Sequence, residues 1–189
     1  VMNEVEGLEI AMEFKILYNE LIHSTEMIRA LLAGVSQEEA QVKPSKSSWS
    51  ILEVTCHLYD EEREDFREHL DFIISTSLKA SAHRQDKDEW HPIAPQAWVK
   101  LRKYNERDFK TMKAKFFRER KKSLGWLKGL ERADWNIKFK TKWRMMRAGD
   151  MFASWVAHDN LHIRQLIELR RARIQRIAKP FHIQYAGEW

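Results

Sequence analysis

Gly149-Asp150-Met151-Phe152-Ala153-Ser154-Trp155-Val156-Ala157-His158-Asp159-Asn160-Leu161-His162-Ile163-Arg164-Gln165-Leu166 is the stretch on which the fold of this 189-residue chain turns. At 100° per residue, Met151, Trp155, Leu166 and Leu169 fall within about 80° of His158, which is the apolar stripe of an amphipathic helix. The period predicts a helix over about 150–171, with Asp150 as its N-cap. His158 and His162, four residues apart, project from one face and sit inside that stripe. Burying two imidazoles side by side is costly unless both find partners. A divalent cation is one such partner; core carbonyls or carboxylates are another. With 8 histidines in 189 residues, chance supplies about 0.3 such pairs per chain, so spacing alone does not choose.

Three similar runs precede this one. Ile10, Phe14, Leu17, Leu21, Ile28 and Leu31 mark a helix over about 6–33, with Gly34 as its stop. Ser50-Ile51-Leu52-Glu53 reads as a capping box, opening a second helix over about 50–77 with Ile51, Leu58, Phe66 and Ile73 inward. Residues 78–95, with Pro92 and Pro95, form a loop. A third helix is predicted over about 96–130, through Trp98, Leu101, Met112, Phe116, Leu127 and Leu130. Asn105 and Asp108 interrupt its apolar face. Residues 134–148 read as extended or as a short helical turn, and 172–189 as a tail packed over the bundle. Four long helices in one domain over 1–189 predict an all-α four-helix bundle.

Composition removes other classes. Only 6 Gly and 4 Pro weigh against a turn-dense β-sandwich or barrel. Cys56 is the single cysteine, which excludes an intramolecular disulfide framework and any CxxC site. No apolar run approaches the ~20 residues that cross a bilayer, so no membrane partner is expected. The opening Val1-Met2-Asn3-Glu4 lacks the pattern of a signal peptide, so a cytoplasmic protein is expected.

Charge is uneven along the chain. Residues 1–70 hold 6 Lys/Arg against 15 Asp/Glu, and residues 100–147 hold 18 against 5. A basic segment can be a nucleic-acid footprint. Here its cations are spread through a helical pattern, which favours acidic helices packing beside a basic one. No recognition-helix signature, RNA-binding aromatic motif or zinc finger accompanies them.

His57 adds weight to the metal reading. It lies one turn or so into the second helix, near Glu61 and Glu64, and three histidines from two helices leave open positions for water. The fourth-helix pair is not HExxH, because Asp159 stands where that motif has its glutamate. A His-Asp doublet phosphohydrolase needs a distant downstream aspartate, and no Asp follows Asp159. Glu61 and Asp108 are the candidate catalytic carboxylates. Glu61 reads as a general base or extra ligand, or as a surface carboxylate of an acidic helix. Asp108 and Asn105 read as groups that orient water or a histidine N–H, or as polar residues at a bundle end. Gln165 shares the histidine face. Cys56 points about 100° away from His57 and reads as core. Trp155 is expected nearest the metal. His23, His69, His83, His91 and His182 read as surface or structural residues.

The second helix, Trp49-Ser50-Ile51-Leu52-Glu53-Val54-Thr55-Cys56-His57-Leu58, and the fourth, quoted above, together resemble the DinB superfamily. That pattern has a tryptophan before helix two, a His-Leu soon after it, and a late His-x-x-x-His followed by Gln. Residues 104–107, Asp134-Trp135 and the closing Tyr185-Ala186-Gly187-Glu188-Trp189 are similar too. The resemblance implies up-down-down-up topology, with a long crossover between helices two and three. It also implies a metal site on His57, His158 and His162; for imidazole ligands a divalent transition ion, zinc, nickel, iron or manganese, is expected. Members of the family include metal-dependent hydrolases, thiol-dependent S-transferases and mycothiol-dependent isomerases. A small-molecule substrate, and in the transferase case a low-molecular-weight thiol, are therefore expected. The alternatives are a non-catalytic metal-binding stress-response protein and a nucleic-acid binder using the basic third helix. Abundant aromatics, the charge asymmetry and the resemblance also point to a homodimer, whose interface would bury about 1,600 Å² in all. Light scattering at micromolar protein should return a dimer mass; a monomer mass across ordinary salt would remove the expectation.

Overall fold

The computed structural model describes residues 2–79, 93–141 and 144–187. Four helical rods form the bundle. The first is α1 (Met2–Leu31), followed by the single turn α2 (Gln37–Ala40). The second is α3 (Ile51–Glu61), which runs through a π-helical turn at Glu62–Phe66 into α4 (Arg67–Lys79). The third is split into α5 (Pro95–Leu101), a 3₁₀ turn at Tyr104–Glu106, and α6 (Phe109–Lys128). The fourth, α7 (Ala148–Ile177), packs chiefly along α1, while α3 packs along α6. The crossover between helices two and three lies largely outside the described residues. No helix among the described residues is long and apolar enough to cross a membrane.

Several boundaries follow from local chemistry. Gly34, at φ +69°, takes a left-handed conformation that costs glycine nothing, just beyond the end of α1. At α3, the Ser50 hydroxyl accepts the Glu53 N–H at 3.1 Å, and the Glu53 carboxylate accepts the Ser50 N–H at 2.8 Å. The helix expected over 96–130 is interrupted because Lys103 adopts φ +50°, which no α-helix continues. Asp108 then restarts it as the N-cap of α6, accepting the Thr111 N–H at 2.7 Å.

The segment 134–148 contains an antiparallel hairpin, β1 (Lys138–Lys140) with β2 (Met145–Arg147), Phe139 opposite Met146. Its return strand leads directly into α7, so that helix begins before Asp150. Asp150 is therefore not the N-cap: it sits in the first turn and accepts the Arg147 backbone N–H at 2.8 Å. At the other end α7 continues to Ile177. The expected packed tail is largely exposed; Phe181 and Tyr185 stand in solvent.

Two apolar clusters fill the bundle. One gathers Ile28, Leu52, Phe116 and Leu166; the other gathers Phe14, Phe66, Phe152 and Trp155. Ion pairs join the rods as well. Arg120 of α6 is 1% exposed and chelates two carboxylates. Its Nε donates to both oxygens of Glu62 at 2.9 Å, and its Nη1 and Nη2 reach Asp159 at 2.5 and 2.9 Å. Thr25 lies 3.1 Å from Nη1, and Ser24 donates to Asp159 at 2.5 Å. All four rods meet there. The acidic second rod thus packs against the basic third, as Arg102–Asp60 and Arg102–Glu64 also show, while Arg67–Glu119 joins the same two rods with the charges exchanged.

Removing the cation strands two buried anions, which typically costs about 3–5 kcal/mol. Arg120→Met should lower unfolding free energy by that order in urea titrations. A loss under about 1 kcal/mol would show that the cluster is dispensable.

Candidate metal centre

The capping box fixes the first turn of α3, and His57 follows within two turns, 3% exposed. Opposite it, α7 presents His158 and His162 one turn apart. One ligand nitrogen from each of the three lies within 4.8 Å of the others. His158 Nε2 and His162 Nε2 are 3.1 Å apart. The His162 Nδ1 lies 2.8 Å from Gln165 Oε1. As Nδ1–H donates to that amide oxygen, Nε2 keeps its lone pair toward the cluster.

Glu61 belongs to this group. It is 3% exposed, with Oε2 at 2.8 Å from His158 Nε2 and Oε1 at 3.4 Å from His57 Nδ1. The acidity of the second helix suggested a surface carboxylate, but the inner acids of this rod are buried beside partners. Burial raises the Glu61 carboxyl above its ordinary value, and the His158 hydrogen bond works against that rise.

Two of the imidazoles, His57 and His162, are held neutral. Burial, reinforced by His162 and His158, pushes His57 down to about 2. Burial and His158 bring His162 down to about 4. Neutral imidazole is the metal-ligating form. His57 Nδ1 is moreover buried and makes no hydrogen bond, a cost that native interiors seldom leave unmet. Three imidazoles with a buried carboxylate beside them fit a divalent ion.

Aromatic rings wall the site. Trp49 meets the His57 ring edge-on at 4.8 Å and lies parallel to His162 at 6.4 Å. Phe66 covers His158 at 4.9 Å. Trp155, the tryptophan expected nearest the histidines, stacks behind Phe66 at 5.7 Å instead. A cavity of about 600 Å³ opens over the cluster, bordered by Trp49, Asp65, Phe66, Gln96, Leu161 and Gln165. That volume is in the range of small-ligand sites.

The remaining candidates lie elsewhere. Asp108 is exposed at the start of α6 and does not border this cavity. Asn105 accepts the Ser50 hydroxyl at 2.6 Å and donates to the Gln41 carbonyl at 3.1 Å, securing the entry to α3. Cys56 is fully buried, its thiol pushed up to about 12 by desolvation. His69 is buried too, its Nδ1 2.6 Å from Asp65 Oδ1. Trp49 and Asp65 were not singled out as site residues from sequence. Trp49 had a signal, standing just before the capping box; Asp65 had none.

Comparison with known proteins bears on the family and the fold. The family model for the DinB superfamily matches residues 20–166. No curated protein matches the sequence. Among solved structures, the fold is similar to YfiT from Bacillus subtilis, described as a probable metal-dependent hydrolase with an unusual four-helix bundle topology. The two share 15% identity and a TM-score of 0.66, over 84% of this chain and 86% of that one.

The depressed histidines set a pH dependence. Each ordinarily titrates near 6.5, so below that pH the unfolded chain takes up protons that the native site refuses. Metal-free protein therefore loses stability as pH falls from 6.5 toward 4, by about 1.4 kcal/mol per unit for each histidine. Glu61, raised by burial, acts in the opposite sense, and it is present in wild type and variant alike. His57→Gln should accordingly lose about 2 kcal/mol less than wild type between pH 6.5 and about 5, in urea titrations with chelator. Equal losses would contradict the assignment.

Proposed function

Because the chain belongs to the DinB superfamily, we propose that the three-histidine cluster is the centre of a metal-dependent hydrolase acting on a small substrate. The observation that carries this reading is the position of Glu61, buried and 2.8 Å from His158 within a cavity that admits a ligand. His57, His158 and His162 would hold one divalent transition ion, of the zinc, nickel, iron or manganese class. Such an ion supplies Lewis acidity. Structural zinc sites are normally closed by four protein ligands, whereas three histidines leave room for solvent and substrate.

The protein's own groups divide the remaining work. Glu61 accepts the proton of the attacking water and returns it to the leaving group, a role suited to a carboxyl raised by burial. Gln165 orients His162 through Nδ1. Trp49 and Phe66 form a non-polar wall against which an apolar part of the substrate rests. The likeness to YfiT, a probable metal-dependent hydrolase, supports hydrolysis as the reaction class.

Elemental analysis should find about one ion per chain in wild type, and almost none when His57, His158 and His162 are all replaced by alanine. Glu61→Gln should retain the ion yet lose about 10²- to 10⁴-fold in turnover on a panel of small esters and amides. Loss of the ion from Glu61→Gln would mean a closed four-ligand shell and would sink the hydrolase reading. Turnover that requires an added low-molecular-weight thiol would replace hydrolysis by S-transfer. No turnover at all, with the metal retained, would leave a metal-binding protein.

A further inference from the structure

The outer face of α6 takes no part in the cavity. Lys110, Arg118, Lys121 and Lys128 are all exposed on it, and Arg132 continues the row just past the helix end. None of these five makes an ion pair or hydrogen bond among the described residues, whereas the neighbouring Lys122 is taken by Glu119 at 2.7 Å. Glu119, the one acid within α6, is buried and turned toward Arg67; at the start of the helix the Asp108 carboxylate feels the charge of Lys110, and the other four cations lie farther along. From Lys110 to Lys128 the row spans roughly 27 Å of rigid helix.

We infer that this face is a docking surface for the phosphate backbone of a nucleic-acid duplex, bound without sequence readout. Unpaired cations in a line gain affinity by releasing the counterions condensed on a polyanion. What the face lacks fixes the kind of polyanion. No large apolar residue of α6 is exposed, so it has nothing to insert into a lipid interface. No aromatic ring stands exposed among the cations, so it offers no platform on which single-stranded bases could stack. Ala114 and Gly125, also exposed on this side, leave the backbone of a duplex free to approach. The row is independent of the metal centre, since no residue of α6 borders that cavity.

Fluorescence anisotropy with a labelled duplex of about 20 base pairs, titrated across NaCl concentrations, tests this. Each phosphate neutralised contributes about −0.9 to the slope of log K against log salt, so five cations give at most about −4.5. The triple variant Arg118→Gln, Lys121→Gln, Lys128→Gln should make the slope shallower by about 2.7 and weaken low-salt binding at least about tenfold. The charge-matched control Lys46→Gln, Lys100→Gln, Lys179→Gln, at exposed sites elsewhere, should leave the slope nearly unchanged. Both triples should keep wild-type metal content. Equal weakening by the two triples would reduce the effect to net charge and overturn the inference. So would absence of duplex binding at low salt, preference for single strands, or binding only to phosphatidylserine vesicles.

Discussion

A guanidinium sealed inside the bundle is the constraint on which the other parts depend. Arg120 chelates Glu62 from the second rod and Asp159 from the fourth, and Ser24 and Thr25 of the first complete the shell. Apolar contacts tolerate sliding; a doubly chelated guanidinium does not. Its geometry fixes the height and rotation of α7 against the second rod. The residues next in sequence to its two carboxylates are His158 and Glu61. Hydrophobic burial supplies the driving force for collapse, and this cluster determines which face of each helix arrives at the three histidines.

The centre itself is assembled from groups that are costly to bury alone. Two of its imidazoles are held well below their ordinary titration range, and the carboxylate among them is held above its own. Each shift marks a charge that desolvation has suppressed. Such a site stores unsatisfied coordinating capacity, visible most directly at the buried His57 Nδ1. The second rod accommodates this through its π-helical turn, which begins immediately after Glu61. Such turns recur at functional sites because they alter the helical phase locally. Here Glu61 faces the histidines while its neighbour Glu62 faces Arg120.

Much of this was legible in the sequence, and what was not had physical reasons. The capping box at Ser50 and the pairing of His158 with His162 depend on neighbours three or four residues away, so local spacing exposes them. The break in the third rod depends on Lys103 entering a conformation that lysine seldom adopts, and no residue type announces it. Arg120 looked like one more cation in a basic helix, because its partners lie 58 and 39 residues distant. Glu61 looked like one more acid for the complementary reason. Trp155 satisfied the helical period, yet Trp49, outside any period, is the ring that reaches the histidines. Local chemistry therefore predicted the elements well, and long-range pairing decided which of their residues became a site.

The π-helical turn also bears on how such a protein can change over time. An ordinary helix transmits rotation: one inserted or deleted residue swings everything beyond it by about 100°. A single wide turn at Glu62–Phe66 is where such an error can be absorbed, since tightening it removes one residue without breaking the rod. The segment carrying His57 and the segment packing as α4 are thus joined by a slipping gear and not by a rigid shaft. Sequence drift in the lower half of the rod need not be passed on to the half that carries His57 and Glu61.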